Sequence, residues 1–471
     1  MRAVNEIIGI TAGVGELSQT GGTNTISNKM FLGTQGTYNL SNGNLRAVSE
    51  DIFGGVHNQT GGTNTLTTLN VSGIGGTYNL DGGSLSASVV NLFDDFGSPT
   101  GGFNQTGGTS NIRLALQIAS GGTYRLSGGS LKTRFETIGG LFIQDGGTNT
   151  LENLNVFDTY NLNDGDLSSS SEYVTGVFNQ SGGRNVVKNT LTIDKPISGT
   201  PLGAYNYSGG LLTAKNIVNN GNFNLSGAGT RTVNGDFTNN GTINTINTNA
   251  VFTGEFTNTE RVRVASGSAV TMTGDYRQTD ALKDGAETKV NGTMTAKTLI
   301  FDSGLLSGSG DIFGDVLMLG DSVIGPGNSP GVLSIYGDFF LGAGSTYTIE
   351  IGDYAAIEYD KLFIEGTATI EDGAIFDIIF LDTFTFDPLV EFGWDFIDAT
   401  DFVFGDFDNV IFNVSGLSGT DFDYPMDFES GFNTIDVSTG PSTVPVPPTI
   451  WLFGTALIGL IGFNKRKLIT A

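Results

Sequence analysis

Few side chains in this sequence can do chemistry. Among 471 residues there is one histidine, His57, and no cysteine. That excludes thiol nucleophiles, disulfides, zinc knuckles and iron–sulfur clusters. A single imidazole also excludes an HExxH zinc site and leaves one candidate general base. Ser322, in Gly320-Asp321-Ser322, is a candidate nucleophile, but no histidine follows it to take its proton. Walker A and GxGxxG phosphate loops in a βαβ setting are absent. Carboxylates are plentiful: Asp and Glu number 48 against 22 Lys and Arg, a net charge of −26. Such a balance opposes polyanions, and no basic run in the body of the chain offsets it, so no nucleic-acid partner is expected.

A glycan hydrolase or lyase needs carboxylates gathered on one face, often with Lys or Arg. Here Asp81, Asp94, Asp95, Asp145, Asp164 and Asp166 are scattered at or near turns. The densest acidic stretch, 371–440, holds 16 acidic residues, no Lys or Arg, and 13 of the 33 Phe. Clustered carboxylates there suit a hard cation such as Ca²⁺. The competing reading is a β cap with an acidic solvent face, and no EF-hand loop or GGxGxD run selects calcium. No catalytic residue, cofactor ligand or metal ligand is assigned. His57 stands at a position held by Phe103 and Phe178 in related segments, which makes it a substituted member of a repeat.

The elements that hold these residues are repeats. Gln19-Thr20-Gly21-Gly22-Thr23-Asn24-Thr25 recurs at 59–65, with variants from Gln105, Gln144 and Gln180. Gly-Thr-Tyr-Asn-Leu at 36–40 recurs at 76–80, with variants at 122–126, 158–162 and 203–207. Both units share an aromatic–Asn–x–(Thr/Asp)–Gly–Gly frame, so the underlying period is about 20 residues. After Gly-Gly come runs such as Ser84-Leu85-Ser86-Ala87, apolar at alternate positions as in a half-buried strand. Glycine at 71 residues, about 15% and without a collagen period, fits a chain of many turns. These features predict an all-β solenoid in which each coil pairs with its neighbours. A propeller of 40-residue blades or a β-sandwich competes, but the half-unit itself repeats and leaves little room for loops. Asn39, Asn79, Asn161 and Asn206 are expected to form a hydrogen-bonded ladder at a turn. Looser motifs across 211–300, such as Asn219-Asn220-Gly221 and Asn239-Asn240-Gly241, are read as degenerate coils of the same solenoid.

Residues 1–6 align with 45–50, so the chain opens inside a repeat. This predicts an N-terminally truncated solenoid with a signal peptide and a cap upstream. The divisions expected are solenoid repeats over 1–320, the end of the β-helix over 321–371, an acidic Phe-rich β cap over 372–440, and a terminal tail over 441–471.

Two resemblances add to this reading. Gly325-Pro326-Gly327-Asn328-Ser329-Pro330-Gly331, followed by Tyr359-Asp360-Lys361-Leu362 and Gly366-Thr367-Ala368-Thr369, resembles the C-terminal end of β-helical passenger regions in bacterial autotransporters. The resemblance spans about 50 residues and implies a right-handed parallel β-helix. The tail carries Val444-Pro445-Val446-Pro447, then an uncharged run to Phe463, then Lys465-Arg466-Lys467. The run is long enough for a short transmembrane helix, and the basic end is expected to remain cytoplasmic. This order resembles the PEP-CTERM sorting signal, although Val446 replaces the usual acidic residue. The resemblance implies export in a Gram-negative bacterium, insertion in the inner membrane, processing by an exosortase-type peptidase, and a place at the cell surface or in an exopolysaccharide matrix. A non-enzymatic structural or adhesive protein is the expectation; a carbohydrate-active enzyme, lyase or hydrolase, on a β-helix scaffold is the alternative.

Overall fold

The structure, a computed structural model, describes residues 1–10, 13–93, 101–195, 203–279, 285–352, 358–384, 392–404, 409–416, 426–430 and 434–439. They form a parallel β-solenoid, all-β, with no α-helix among them. Each coil contributes up to three strand segments. The strand Gly36–Phe53 passes round all three, and its parts pair in parallel with Val56–Gln59, Thr63–Thr65 and Thr68–Ser72 of the next coil. The 20-residue period is thus one full coil. The degenerate stretch follows the same rule, with Asn222–Ser226 on Thr242–Ile246 and Thr242–Ile246 on Arg261–Val264.

Alternation explains why these runs become strands. Thr77–Leu80 and Phe103's strand Gly102–Gln105 each bury every second residue. Stacked coils merge these inward positions into one apolar core running from Ile8 to Ala399. On the first face the inward column is aromatic. Rings of Tyr38, His57, Tyr78, Phe103, Tyr124, Phe142, Tyr160, Phe178, Tyr205 and Phe223 follow one another with centroids 4.4–5.5 Å apart. Parallel pairing sets the spacing, and it matches that of stacked rings.

The Gly-Gly turns are fixed by two constraints at once. Gly83, Gly129 and Gly165 have φ of 74°, 75° and 86°, and a Cβ on any of them would sit within 2.4–2.5 Å of a carbonyl oxygen of the preceding coil. Only glycine tolerates both the left-handed backbone and the close approach.

The run at 1–6 takes the place its alignment gives it: Glu6 pairs with Met30, and Met30 with Glu50, two coils on. Within 321–371 the coils continue, and Asp360 ties the Pro-Gly loop down by accepting hydrogen bonds from the N–H of Gly331 at 2.8 Å and of Glu350 at 2.9 Å. Parallel pairing runs on into 372–440: Ile375–Phe380 pairs with Ile411–Ser415, and Lys361–Ile370 with Phe392–Phe404. There the direction changes, because Thr434–Thr439 lies antiparallel to both Phe392–Phe404 and Met426–Ser430.

Phe142 is fully buried between Tyr124 and Tyr160. Phe142→Ala is expected to cost about 3–5 kcal/mol through the cavity it leaves. Coils of a solenoid respond mainly with their neighbours, so amide hydrogen exchange should quicken in Thr123–Leu126 and Thr159–Ser169 and stay slow in Thr242–Ile246. An unchanged exchange pattern would count against the stacked column as a source of stability.

Candidate functional site

The residues richest in chemistry lie inside the solenoid. Coils alternate between a Tyr type and a Gln type, and the two interlock. The hydroxyls of Tyr38, Tyr78, Tyr124, Tyr160 and Tyr205 donate to Oε1 of Gln19, Gln59, Gln105, Gln144 and Gln180, one coil earlier, at 2.5–2.7 Å. Nε2 of each glutamine donates in turn to a backbone carbonyl of the Tyr-type coil, at 3.0 Å for Asn44, Ser84, Ser130, Asp166 and Leu211. A buried amide and a buried phenol therefore satisfy each other.

A second layer adds carboxyls. Asn64 donates to Glu50 Oε2 at 2.9 Å and to the Tyr78 hydroxyl at 3.0 Å. Asn149 does the same for Glu136 and Tyr160, and Asn185 for Glu172 and Tyr205. The pairing is visible in its exceptions. Where Val90 stands in the Glu column, the next coil has Ser110 at the Asn position; where Ile217 stands there, Val233 follows. Burial pushes the Glu136 carboxyl up to about 8, with the Asn149 hydrogen bond opposing, and Glu172 up to about 7, with Asn185 and Ser169 opposing. Burial likewise pushes the Tyr38 phenol up to about 12.

His57 belongs to this interior. It stacks on Tyr78 with centroids 4.4 Å apart, and its Nδ1 lies 2.5 Å from Glu50 Oε1, both side chains being inaccessible to solvent. It is a member of the aromatic column, and no substrate in solvent can reach it. Ser322 is also fully buried, at the turn closed by its N–H to Leu319 O. His57 and Ser322 belong to coils far apart along the rod, so the structure does not bring the two candidates together.

The asparagine ladder exists, but its position differs from the expectation. Asn58 donates to Asn39, Asn79 to Asn58 and Asn104 to Asn79, each at 2.9 Å; beyond Arg125 and Ile143 the ladder resumes from Asn179 on Asn161 and runs through Asn206 and Asn224 to Asn244. These residues lie within strands, on the outward face beside the aromatic column, and not at a turn. The turns were already occupied by Gly-Gly pairs, which leave the strand as the place where equal side chains repeat.

Asp145, Asp164 and Asp166 fall within the strands Leu141–Thr150 and Thr159–Ser169, and Asp81 is exposed beside the Gly82-Gly83 turn. Asp94 and Asp95 lie outside the described residues. Among the described residues no three His, Asp or Glu side chains converge as a metal site. No helix among them is long and apolar enough to cross a membrane. The motif Val444, Pro445, Val446 and Pro447, the run to Phe463, and Lys465, Arg466 and Lys467 lie outside the described residues.

The fold and its interior define a parallel β-solenoid with a hydrogen-bonded polar spine. Compared with known protein families and with characterised proteins, the sequence matches none.

Two predictions follow from the spine. Glu136 and Glu172 bind protons more tightly folded than unfolded, so their contribution to stability is full below about 4.5 and is lost as pH rises through about 7 to 8. Glu136→Gln with Glu172→Gln should melt above the parent by about 3–6 °C at pH 9 and show no such gain at pH 4. Equal gains at both values would sink the assignment. His57→Phe restores the usual ring but leaves Glu50 buried without its imidazole, a loss of about 3–5 kcal/mol by denaturant titration. Adding Glu50→Leu, the residue type of Leu69 in the same column, should recover most of it. If His57→Phe alone is as stable as the parent, the pair contributes nothing.

Proposed function

We propose that this chain is an exported, non-enzymatic structural or adhesive protein of a Gram-negative cell surface or extracellular matrix. Its solenoid, right-handed in this reading, is a spacer and an adhesive surface among exopolysaccharide. The acidic Phe-rich segment over 372–440 caps the rod. The tail 441–471 is a PEP-CTERM-like sorting signal with one transmembrane helix, held at the inner membrane by Lys465, Arg466 and Lys467 until an exosortase-type peptidase processes it near Val444-Pro445-Val446-Pro447.

The observation that carries the reading is the use made of the reactive residues. His57, Glu50, Glu136, Glu172 and the tyrosines are spent on one another inside the core, where they register successive coils. What faces solvent is a periodic polar surface of Asn, Thr and Ser, suited to many weak hydrogen bonds with a polymer.

The test is the intact mass and cell fraction of the protein made in its native host. A C-terminus ending near Val444–Pro448 in the surface or secreted fraction is the expected outcome. A chain intact to Ala471 in the inner membrane would remove the sorting role and the matrix role with it.

A further inference from the structure

The chain is acidic overall, yet residues 203–300 carry 8 Lys and Arg against 7 Asp and Glu. The fold concentrates part of that charge. On the outward face of the first strand segments, Asn206, Asn224, Asn244, Arg263 and Lys289 occupy successive rungs of one column. The asparagine ladder thus ends on two cations. No stretch of linear sequence shows this, because Arg263 and Lys289 belong to different coils and only the coil register makes them neighbours.

The column borders a cleft of about 630 Å³ lined by Asn206, Asn224, Asn244, Ile246, Arg263 and Lys289. Three properties of that lining select a ligand. Every ladder amide donates toward the coil before it, and Asn244 Oδ1, at the far end, accepts no hydrogen bond among the described residues. Arg263 reaches a carboxylate only at 3.7 Å, from Glu287, and Lys289 has none at ion-pair distance among the described residues. Ile246, 57% exposed, supplies an apolar wall. Amide donors and acceptors and two weakly compensated cations, set around an apolar floor that Ile246 shares with Val264 and Ala265, are complementary to a hydroxylated ring bearing a carboxylate, its apolar C–H face on the floor.

We infer that this cleft binds acidic oligosaccharide, its uronate carboxylates on Arg263 and Lys289 and its hydroxyls on the Asn206, Asn224 and Asn244 amides. Arg263 and Lys289 stand one coil apart, about 4.8 Å, a step close to the length of a single extended pyranose unit. A nucleic acid fits less well. The residues lining the cleft include no aromatic ring on which a base could stack.

The inference deepens the matrix reading and rests on it only for where such a glycan is met. The test uses the purified full chain and isothermal titration with tetragalacturonate, maltotetraose and a thymidine tetranucleotide. Tetragalacturonate should bind at least about tenfold more tightly than maltotetraose, and more weakly as salt is raised. Arg263→Gln with Lys289→Gln should weaken it by about tenfold or more. Lys215→Gln with Lys297→Gln, exposed at another corner of the coil, should leave it unchanged. No binding of tetragalacturonate, an equal loss in the control variant, or tighter binding of the tetranucleotide would overturn the inference. None of these results alters the C-terminal mass and cell fraction that test sorting, so failure of one reading is distinguishable from failure of the other.

Discussion

Parallel pairing places each residue about 4.8 Å from its counterpart in the next coil, and this spacing governs everything else in the molecule. Inside the rod a side chain has no choice of neighbour along the axis: it meets whatever its own column holds one coil away. Aromatic rings suit that distance, which is why ten of them stack from Tyr38 to Phe223 with near-parallel planes over most of the run. Amides suit it too, and the outward asparagines form their ladder on the same rise. Glycine is required at the turns for the complementary reason, since the coils approach there without room for a Cβ.

The same spacing makes buried polar groups dangerous, because a mismatch would be repeated along the rod. The chain answers with alternation. A tyrosine in one coil finds a glutamine in the one before, and a glutamate finds an asparagine in the one after. These pairs do little for net stability compared with the apolar core, but a coil shifted by one residue would strand every member of the spine. Registration is the physical role this supports. The raised carboxyls of Glu136 and Glu172 show the residual penalty, which falls on the ionised forms.

Outward, the ladder, the Thr and Ser rungs and the cationic end near Lys289 present a surface that varies only slowly along the axis. A surface of this kind matches an extended polymer better than a small compact ligand, because equal contacts recur at equal intervals. The interior and the exterior are thus products of one periodicity: the first uses it to pack, the second to offer repeated contacts.

Much of this was legible in the sequence. The 20-residue period, the alternation after Gly-Gly and the equivalence of His57 with Phe103 and Phe178 are local patterns, and parallel stacking follows from them because short identical strands can bury their inward sides only against copies of themselves. The Tyr–Gln and Glu–Asn partnerships were harder to see. Their signal was present in the strict alternation of Gln-Thr-Gly-Gly and Tyr-Asn-Leu units, and in the joint loss of Glu and Asn at Val90 with Ser110. Reading it needed the register, which sets Gln59 beneath Leu80, within reach of the Tyr78 hydroxyl, and lets Glu50 reach His57. The ladder was foreseen at a turn and stands on a strand, since asparagine type is local but the direction a side chain faces is set by pairing. The meeting of Asn244, Arg263 and Lys289 is wholly tertiary. Residue types and their period are carried by the chain itself; which of them become neighbours depends on where each coil closes, because loop lengths between coils shift every later residue along the column.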